Sequence, residues 1–310
     1  MHILCLSNYP AELVEGWVAD LDCVVTVAGR DQRLSDLDTS DAEIVIGDAA
    51  RHFTLDAEGL ARLPQCRVVL QPSVGVDRVV DLEVARERGI SVANVPGYNA
   101  EAVADWTVMA MLIALRHGVS SELRNGGWHA PELGRELGAL TVGLLGYGAV
   151  GQAVHRRLRG FGATVLATSP GPVPELTAPP TFVDLPELLE TSDVLSLHAP
   201  LTPETRHLLN ERAFARMREG SVLVNAARGG LVDEAALVAA LRAGRPAAAA
   251  LDVFDPEPLS HASPLLELEQ VYLTPHIAAS SEQARGRVRA MIGDNLRRAV
   301  LGEDLDHLLV

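Results

Sequence analysis

The chain of 310 residues is longer than one hydrophobic core usually organises, which implies two domains. Its 48% hydrophobic, 22% charged and 4% aromatic content is that of a globular protein with cores built from Ala, Val and Leu. A net charge of -15 with no local basic stripe excludes nucleic acid as a partner, and no segment reaches the roughly 18 uninterrupted apolar residues of a membrane span.

Short runs rich in Val, Ile and Leu open the chain: HILCLS (2–7), CVVTVA (23–28), EIVIG (43–47), RVVLQ (67–71) and ISVANV (90–95). Each has the pattern of a buried strand. Between them DLEVARERG places Leu82, Ala85 and a closing Gly89 at the spacing of a short helix. Alternating units of this size imply a parallel sheet covered by helices. Cys5, Cys23 and Cys66 have neither disulfide nor metal-ligand spacing, and are expected to be buried thiols. The opening MHILCLSNYP has no basic region and no small-residue cleavage site, so a cytoplasmic protein is expected.

A long helical segment near 99–116 precedes a second series of strand patterns: TVGLLG, ATVLAT, DVLSLH, SVLVNA, AAAALDV and VYLTP. Six such runs suit a doubly wound half of dinucleotide-binding type. GPVPELTAPP is a Pro-rich loop, and DEAALVAALRAG is a helix with an acidic first turn and a glycine stop. SEQARGRVRAMIGDNLRRAVLG closes the chain as a helix of about five or six turns, weakened by Gly286 and Gly293 and free to return to the first half.

Gly146, Gly148 and Gly151 form G-x-G-x-x-G between a strand and a helical pattern, where small residues permit a tight turn, close approach of a pyrophosphate and close helix packing. Alone the motif is weak; its strand-to-helix placement gives it weight. Ala149, Val150, Pro200 and Ala226 join the glycines as candidate cofactor contacts. The acidic residue expected about 20 residues later to meet the adenosine ribose is absent, and Thr168 and Ser169 stand there instead. Loss of that charge removes the repulsion of a 2′-phosphate, yet no Arg or Lys occurs between Arg159 and Arg206. Both NAD and NADP are expected to be accepted, with a slight lean to NADP, and Arg206 is one source for the missing positive charge.

Chemistry has to come from other residues, since such a half only holds a cofactor. Arg228, Glu257 and His276 follow three of the later strand patterns, where open α/β sheets bind ligands. Taken singly, each reads as an ordinary surface cation, loop acid or structural histidine. Together they suit hydride transfer to a 2-oxo acid: arginine grips the carboxylate and reacting oxygen, imidazolium protonates the developing alkoxide, and the carboxylate supports the imidazolium.

These stretches, with SVGVDRVVDLEVARERGI, NVPGYNAEAVADWTVMAMLIALR and LHAPLTPETRHLL in the same order, resemble the D-isomer-specific 2-hydroxyacid dehydrogenase family over nearly the whole chain. The family's catalytic arginine, glutamate and histidine fall on Arg228, Glu257 and His276. The resemblance implies two doubly wound α/β domains with a cleft between them: a flavodoxin-like substrate domain from 1–96 plus 281–310, and a Rossmann-type cofactor domain over 97–280. It implies substrate carboxylate binding at Val74 and Gly75, nicotinamide carboxamide binding at Asp252, a cofactor contact at Thr107, and a homodimer joined through the cofactor domains. Val74 stands where phosphite-oxidising relatives carry lysine, which argues against phosphite. Arg51 and His52, in the turn GDAARHFT, read either as grips for a second polar group or as solvated loop residues. The expected activity is NAD(P)-dependent interconversion of a 2-oxo acid and its D-2-hydroxy acid, with glyoxylate, hydroxypyruvate or a bulkier 2-oxo acid as the substrate. The alternative is a dinucleotide-responsive binding protein like the family's corepressor branch; the intact trio and the absence of any extension beyond the two domains count against it.

Overall fold

The computed structural model describes residues 1–50, 52–76, 79–116, 133–169, 171 and 178–310. Two compact units emerge, Met1–Asn99 with Ser281–Val310, and Ala100–Ser280. The first unit begins with β1 (His2–Cys5), α1 (Ala11–Trp17), β2 (Val24–Val27), β3 (Ala42–Ile46), α2 (Ala57–Ala61), β4 (Val68–Leu70), α3 (Leu82–Glu87) and β5 (Ser91–Ala93). Its strands form one parallel sheet in the order β2-β1-β3-β4-β5, the flavodoxin-like arrangement. Ile3, Leu4, Ile44, Val45, Ile46, Val69 and Leu70 are fully buried because helices cover both faces of such a sheet. The edge is different: β2 leaves Val24 65% exposed. Cys23, beside it, is only half-buried, so the expectation of three buried thiols fails at that position and holds for Cys5 and Cys66.

The second unit contains α4 (Ala100–Leu115), β6 (Thr141–Leu145), α5 (Ala149–Phe161), β7 (Thr164–Thr168), β8 (Thr181–Phe182), α6 (Leu185–Thr191), β9 (Val194–Leu197), α7 (Glu211–Arg216), β10 (Val222–Asn225), α8 (Glu234–Arg242), β11 (Ala248–Leu251) and β12 (Val271–Leu273). All seven strands run parallel in the order β12-β11-β10-β9-β6-β7-β8, so the winding reverses between β6 and β9. The six expected strands are present, with β8 added as a two-residue edge strand, too short to carry any periodic signal. Helix α4 is buried on most sides and packs on α5, β10 and β11, which explains its nearly unbroken apolar sequence.

The chain then returns to the first unit as α9 (Glu282–Leu301), capped by the Ser281 hydroxyl and ended by Gly302 in the left-handed region at φ 72°. Ala284, Val288, Ile292, Leu296 and Ala299 form its buried stripe, against β3, β4 and α1. Gly293 has a packing reason within this helix: a Cβ there would sit 2.9 Å from the Trp17 indole. Within the helix the buried Asn295 accepts from the N–H and donates to the carbonyl of Asp306, which lies beyond it, both at 2.9 Å. The clamp directs residues 307–310 along β5, where Leu309 N–H bonds Val92 O at 2.7 Å. Asn295→Ala is expected to cost about 2 kcal/mol, since it leaves both Asp306 groups without a partner. Denaturant melts and hydrogen exchange at Leu309 N–H check this; unchanged exchange there would mean that the clamp does not hold the tail.

Candidate active site

The glycine loop follows β6, at the reversal of winding. Its three glycines have three separate roles. Gly146 sits at φ 100°, and a Cβ on it would come within 2.8 Å of the His198 backbone. Gly151 packs so that its Cβ would lie 2.5 Å from Gly146 O, pressing α5 against the turn. Gly148 is the helix N-cap, exposed, and a Cβ there would meet nothing within 4 Å. No described side chain caps α5 and no acidic residue lies in its first turn, which leaves its first N–H groups without a side-chain partner beside the exposed Gly148 and Ala149 and the half-buried Val150. This is the cradle that the pyrophosphate of a dinucleotide fits. Thr168, at the end of β7, accepts from Gly146 N–H at 3.2 Å, and Ser169 donates to Gly171 O at 3.1 Å. Arg206 gives its guanidinium to Asp255 at 2.9 Å.

Arg228, Glu257 and His276 follow β10, β11 and β12, three neighbours in the sheet, so the chain directions deliver all three to one edge. Asn225 fixes the Arg228 turn, its amide donating to Arg228 O at 2.9 Å and its oxygen accepting from Ala227 N–H at 3.0 Å. Gly229 lies so near the Phe254 backbone that a Cβ would overlap it, which brings the Arg228 turn against the next loop. In that loop Glu257 Oε1 accepts from Phe254 N–H at 3.1 Å, and the two Glu257 oxygens lie 3.0 and 2.9 Å from His276 Nδ1. Nε2 makes no hydrogen bond with a described residue, and the imidazole is 40% exposed. His276 itself is at φ 54°, a left-handed conformation uncommon outside glycine.

Asp252, 1% exposed, is what holds that conformation. Oδ1 accepts from Thr274 Oγ1 at 2.5 Å and from Ile277 N–H at 2.8 Å, Oδ2 accepts from Ala278 N–H at 2.8 Å, and the Asp252 carbonyl takes His276 N–H at 2.8 Å. The family resemblance points Asp252 to the cofactor, and the sequence carries no sign of this bracing because the partners lie 22 to 26 residues away. Thr107 is fully buried on α4, with its hydroxyl donating to Val103 O at 2.7 Å. Pro200 is exposed after β9, and Ala226 is half-buried after β10. His198, beside the glycine turn and 3.0 Å from Ser196 Oγ, was not singled out; desolvation pushes its imidazole down to about 4. Its only sequence signal is a position directly after a strand at the reversal point.

In the first unit the Val74 carbonyl accepts from Asn94 at 2.7 Å and the Gly75 carbonyl from Ser73 Oγ at 2.7 Å. Asp48, 1% exposed, gathers Arg30 in a two-pronged pair at 2.8 and 3.1 Å and accepts from Ala50, His52 and Phe53 N–H. The His52 ring bonds Gln32 O at 3.0 Å and stands edge-on to Phe53. Arg51 lies outside the described residues.

A parallel sheet reversing at a glycine cradle, with arginine, glutamate and histidine on one edge, defines a doubly wound protein of the dinucleotide-binding class. Residues 108–278 match the family described as D-isomer specific 2-hydroxyacid dehydrogenase, NAD binding domain, and the chain belongs to that family. It is 39% identical over 279 residues to a D-3-phosphoglycerate dehydrogenase of Mycobacterium bovis, covering 88% of this chain and 52% of that one. It is 40% identical over 227 residues to a hydroxypyruvate reductase of Thermotoga maritima, covering 72% and 74%. A glyoxylate reductase structure from Paecilomyes thermophila superposes with a TM-score of 0.90 at 29% identity, over 100% of this chain and 98% of that one. The chain spans about half the length of the D-3-phosphoglycerate dehydrogenases it matches.

The glycines separate stability from binding. Gly146→Ala forces a Cβ into the His198 backbone at positive φ and is expected to cost at least about 2 kcal/mol. Gly148→Ala is expected to melt with the wild type and yet bind NADH at least about tenfold more weakly, because the only space its methyl takes is that of the ligand. Thermal melts and NADH titration check both; a Gly148→Ala protein that binds like wild type would remove the dinucleotide from this cradle.

Proposed function

We propose that the protein is an NAD(P)-dependent oxidoreductase that interconverts a small 2-oxo acid and the corresponding D-2-hydroxy acid. The observation that carries this reading is the Glu257 carboxylate 2.9 Å from His276 Nδ1, in the unit that holds the glycine cradle. The bound nicotinamide dinucleotide supplies or accepts the hydride. Glu257 fixes the ring orientation through Nδ1, so that Nε2 delivers a proton to the carbonyl oxygen in reduction and takes it back in oxidation. Arg228, whose Nη1 donates to Ala227 O at 2.8 Å, is assigned to the substrate carboxylate and reacting oxygen through the planar fork of its guanidinium, a task that a lysine does not match. Asp252 keeps His276 in place through the backbone, and a carboxamide contact at the same residue is part of this proposal. In the first unit, the Val74 and Gly75 turn is assigned to anion binding: its carbonyls are tied inward by Asn94 and Ser73, which favours outward N–H groups.

Names among the relatives, hydroxypyruvate reductase and glyoxylate reductase, support short 2-oxo acids as the substrate class. For the cofactor we propose acceptance of both NAD and NADP with a modest lean to NADP, supported by Thr168 and Ser169 in place of an acid. Arg206, the cation suggested for the phosphate, instead pairs with Asp255 after β11, with β10, β9 and β6 between it and β7, so the lean stays small because that charge is not supplied. A cytoplasmic homodimer, joined through the second unit, completes the proposal on family resemblance.

Reduction of a panel including glyoxylate, hydroxypyruvate and bulkier 2-oxo acids with NADH and NADPH tests the reading; no turnover of any member with either cofactor would overturn it. His276→Ala is expected to lower kcat by about 10² to 10⁴ with dinucleotide affinity nearly unchanged. Ser169→Asp is expected to shift kcat/KM toward NADH by about 2 kcal/mol or less, since a loop charge near solvent is screened. A wild type that already prefers NADH a thousandfold would show that the missing acid does not govern the choice.

A further inference from the structure

Tyr147 occupies the middle of Gly-Tyr-Gly, where the loop has to present its backbone outward, yet its own side chain turns inward and is 6% exposed. The hydroxyl lies 2.6 Å from Nδ1 of His155, itself 7% exposed and on the second turn of α5. The Tyr147 ring stands edge-on to Phe182 of β8, with centroids 5.3 Å apart. The same loop is held at two more points: Gln152 donates to Tyr147 O at 3.3 Å, and Gly146 N–H bonds Thr168. A phenylalanine would fill the space equally well, so volume does not explain the hydroxyl. A buried polar pair fixes direction in a way that apolar packing does not.

We propose that Tyr147 and His155 form a latch that fixes the glycine loop in the shape a dinucleotide needs, making them positioning residues for cofactor binding and not for the chemical step. The latch joins the residue before Gly148 to the helix whose first N–H groups face the same space, so it sets the position of Gly148 relative to those donors. Burial raises the Tyr147 phenol and lowers the His155 imidazole, consistent with both being neutral near pH 7 and with the phenol donating to Nδ1. Nothing in the proposal depends on which 2-oxo acid is reduced; it rests on the dinucleotide-binding reading of the second unit.

The test uses the full chain with Tyr147→Phe, His155→Leu and His155→Asn, the last keeping an acceptor near the place of Nδ1. NADH and NADPH are titrated separately without 2-oxo acid, apo melting temperatures are recorded, and kcat and KM follow with whichever 2-oxo acid turns over. Tyr147→Phe and His155→Leu are expected to raise Kd and KM for the dinucleotide about three- to tenfold, the loss of one net hydrogen bond, with kcat within about twofold of wild type. His155→Asn is expected to recover most of that loss. An unchanged Kd in Tyr147→Phe, or a His155→Asn protein no better than His155→Leu, overturns the latch. So does a fall in kcat or melting temperature with Kd intact, which assigns the pair to general packing or to chemistry. If the wild type binds dinucleotide but reduces no 2-oxo acid, the functional proposal fails while the titrations still decide this one.

Discussion

A buried carboxylate needs donors, and much of the edge that carries Arg228, Glu257 and His276 follows from how Asp252 obtains them. Removed from water at the end of β11, it is an expensive group unless several hydrogen bonds replace its hydration. It takes them from Thr274, Ile277 and Ala278, which curls the segment after β12 over the end of β11. That curl places His276 in a left-handed conformation, from which the ring lies 2.9 Å from Glu257. The strain at His276 is offset by the hydrogen bonds of Asp252, a group that touches no proposed reacting atom of the substrate. The first unit repeats the device with different partners: Asp48, just beyond β3, draws in Arg30 and three backbone N–H groups to shape its own loop.

Parallel strands make these arrangements possible. Every strand in each sheet points the same way, so loops that are far apart in sequence leave from a common edge. Arg228, Glu257 and His276 are separated by 29 and 19 residues, and yet they follow adjacent strands about 5 Å apart. Their precision comes from short-range supports: Asn225 under Arg228, the Phe254 N–H on Glu257, and Asp252 beneath His276. The glycine loop is also braced locally, with the added restriction that its outer side stays clear of any Cβ. Binding and chemistry therefore share one sheet but have separate supports, so a change in one can leave the other standing.

How much of this could be read beforehand depended on the range of the physical cause. Strand and helix patterns, the Ser281 to Gly302 limits of the last helix and the glycine spacing are local effects of side-chain periodicity and backbone freedom, and they were legible. That Arg228, Glu257 and His276 leave one edge of the sheet was legible because each follows a strand pattern of one parallel series, and the family resemblance fell on the same residues. Edge effects were less legible: Cys23 is half-buried because β2 ends its sheet, and sheet order is not written in the strand itself. The strand β8 left no signal at two residues.

The sequence by itself determined the two α/β halves, the glycine spacing at Gly146, Gly148 and Gly151, the residue types after β10, β11 and β12 and the absence of an acid at Ser169, because each depends on neighbours within a few residues or on side-chain chemistry alone. Only the tertiary structure decided which buried groups answer one another. Asp252 bracing His276, Asn295 clamping Asp306, Trp17 filling the space left by Gly293 and Tyr147 meeting His155 all join elements by direct contact. The physical reason is that a hydrogen bond or a close contact demands positions good to a few tenths of an ångström, and such positions exist only once strands and helices have packed.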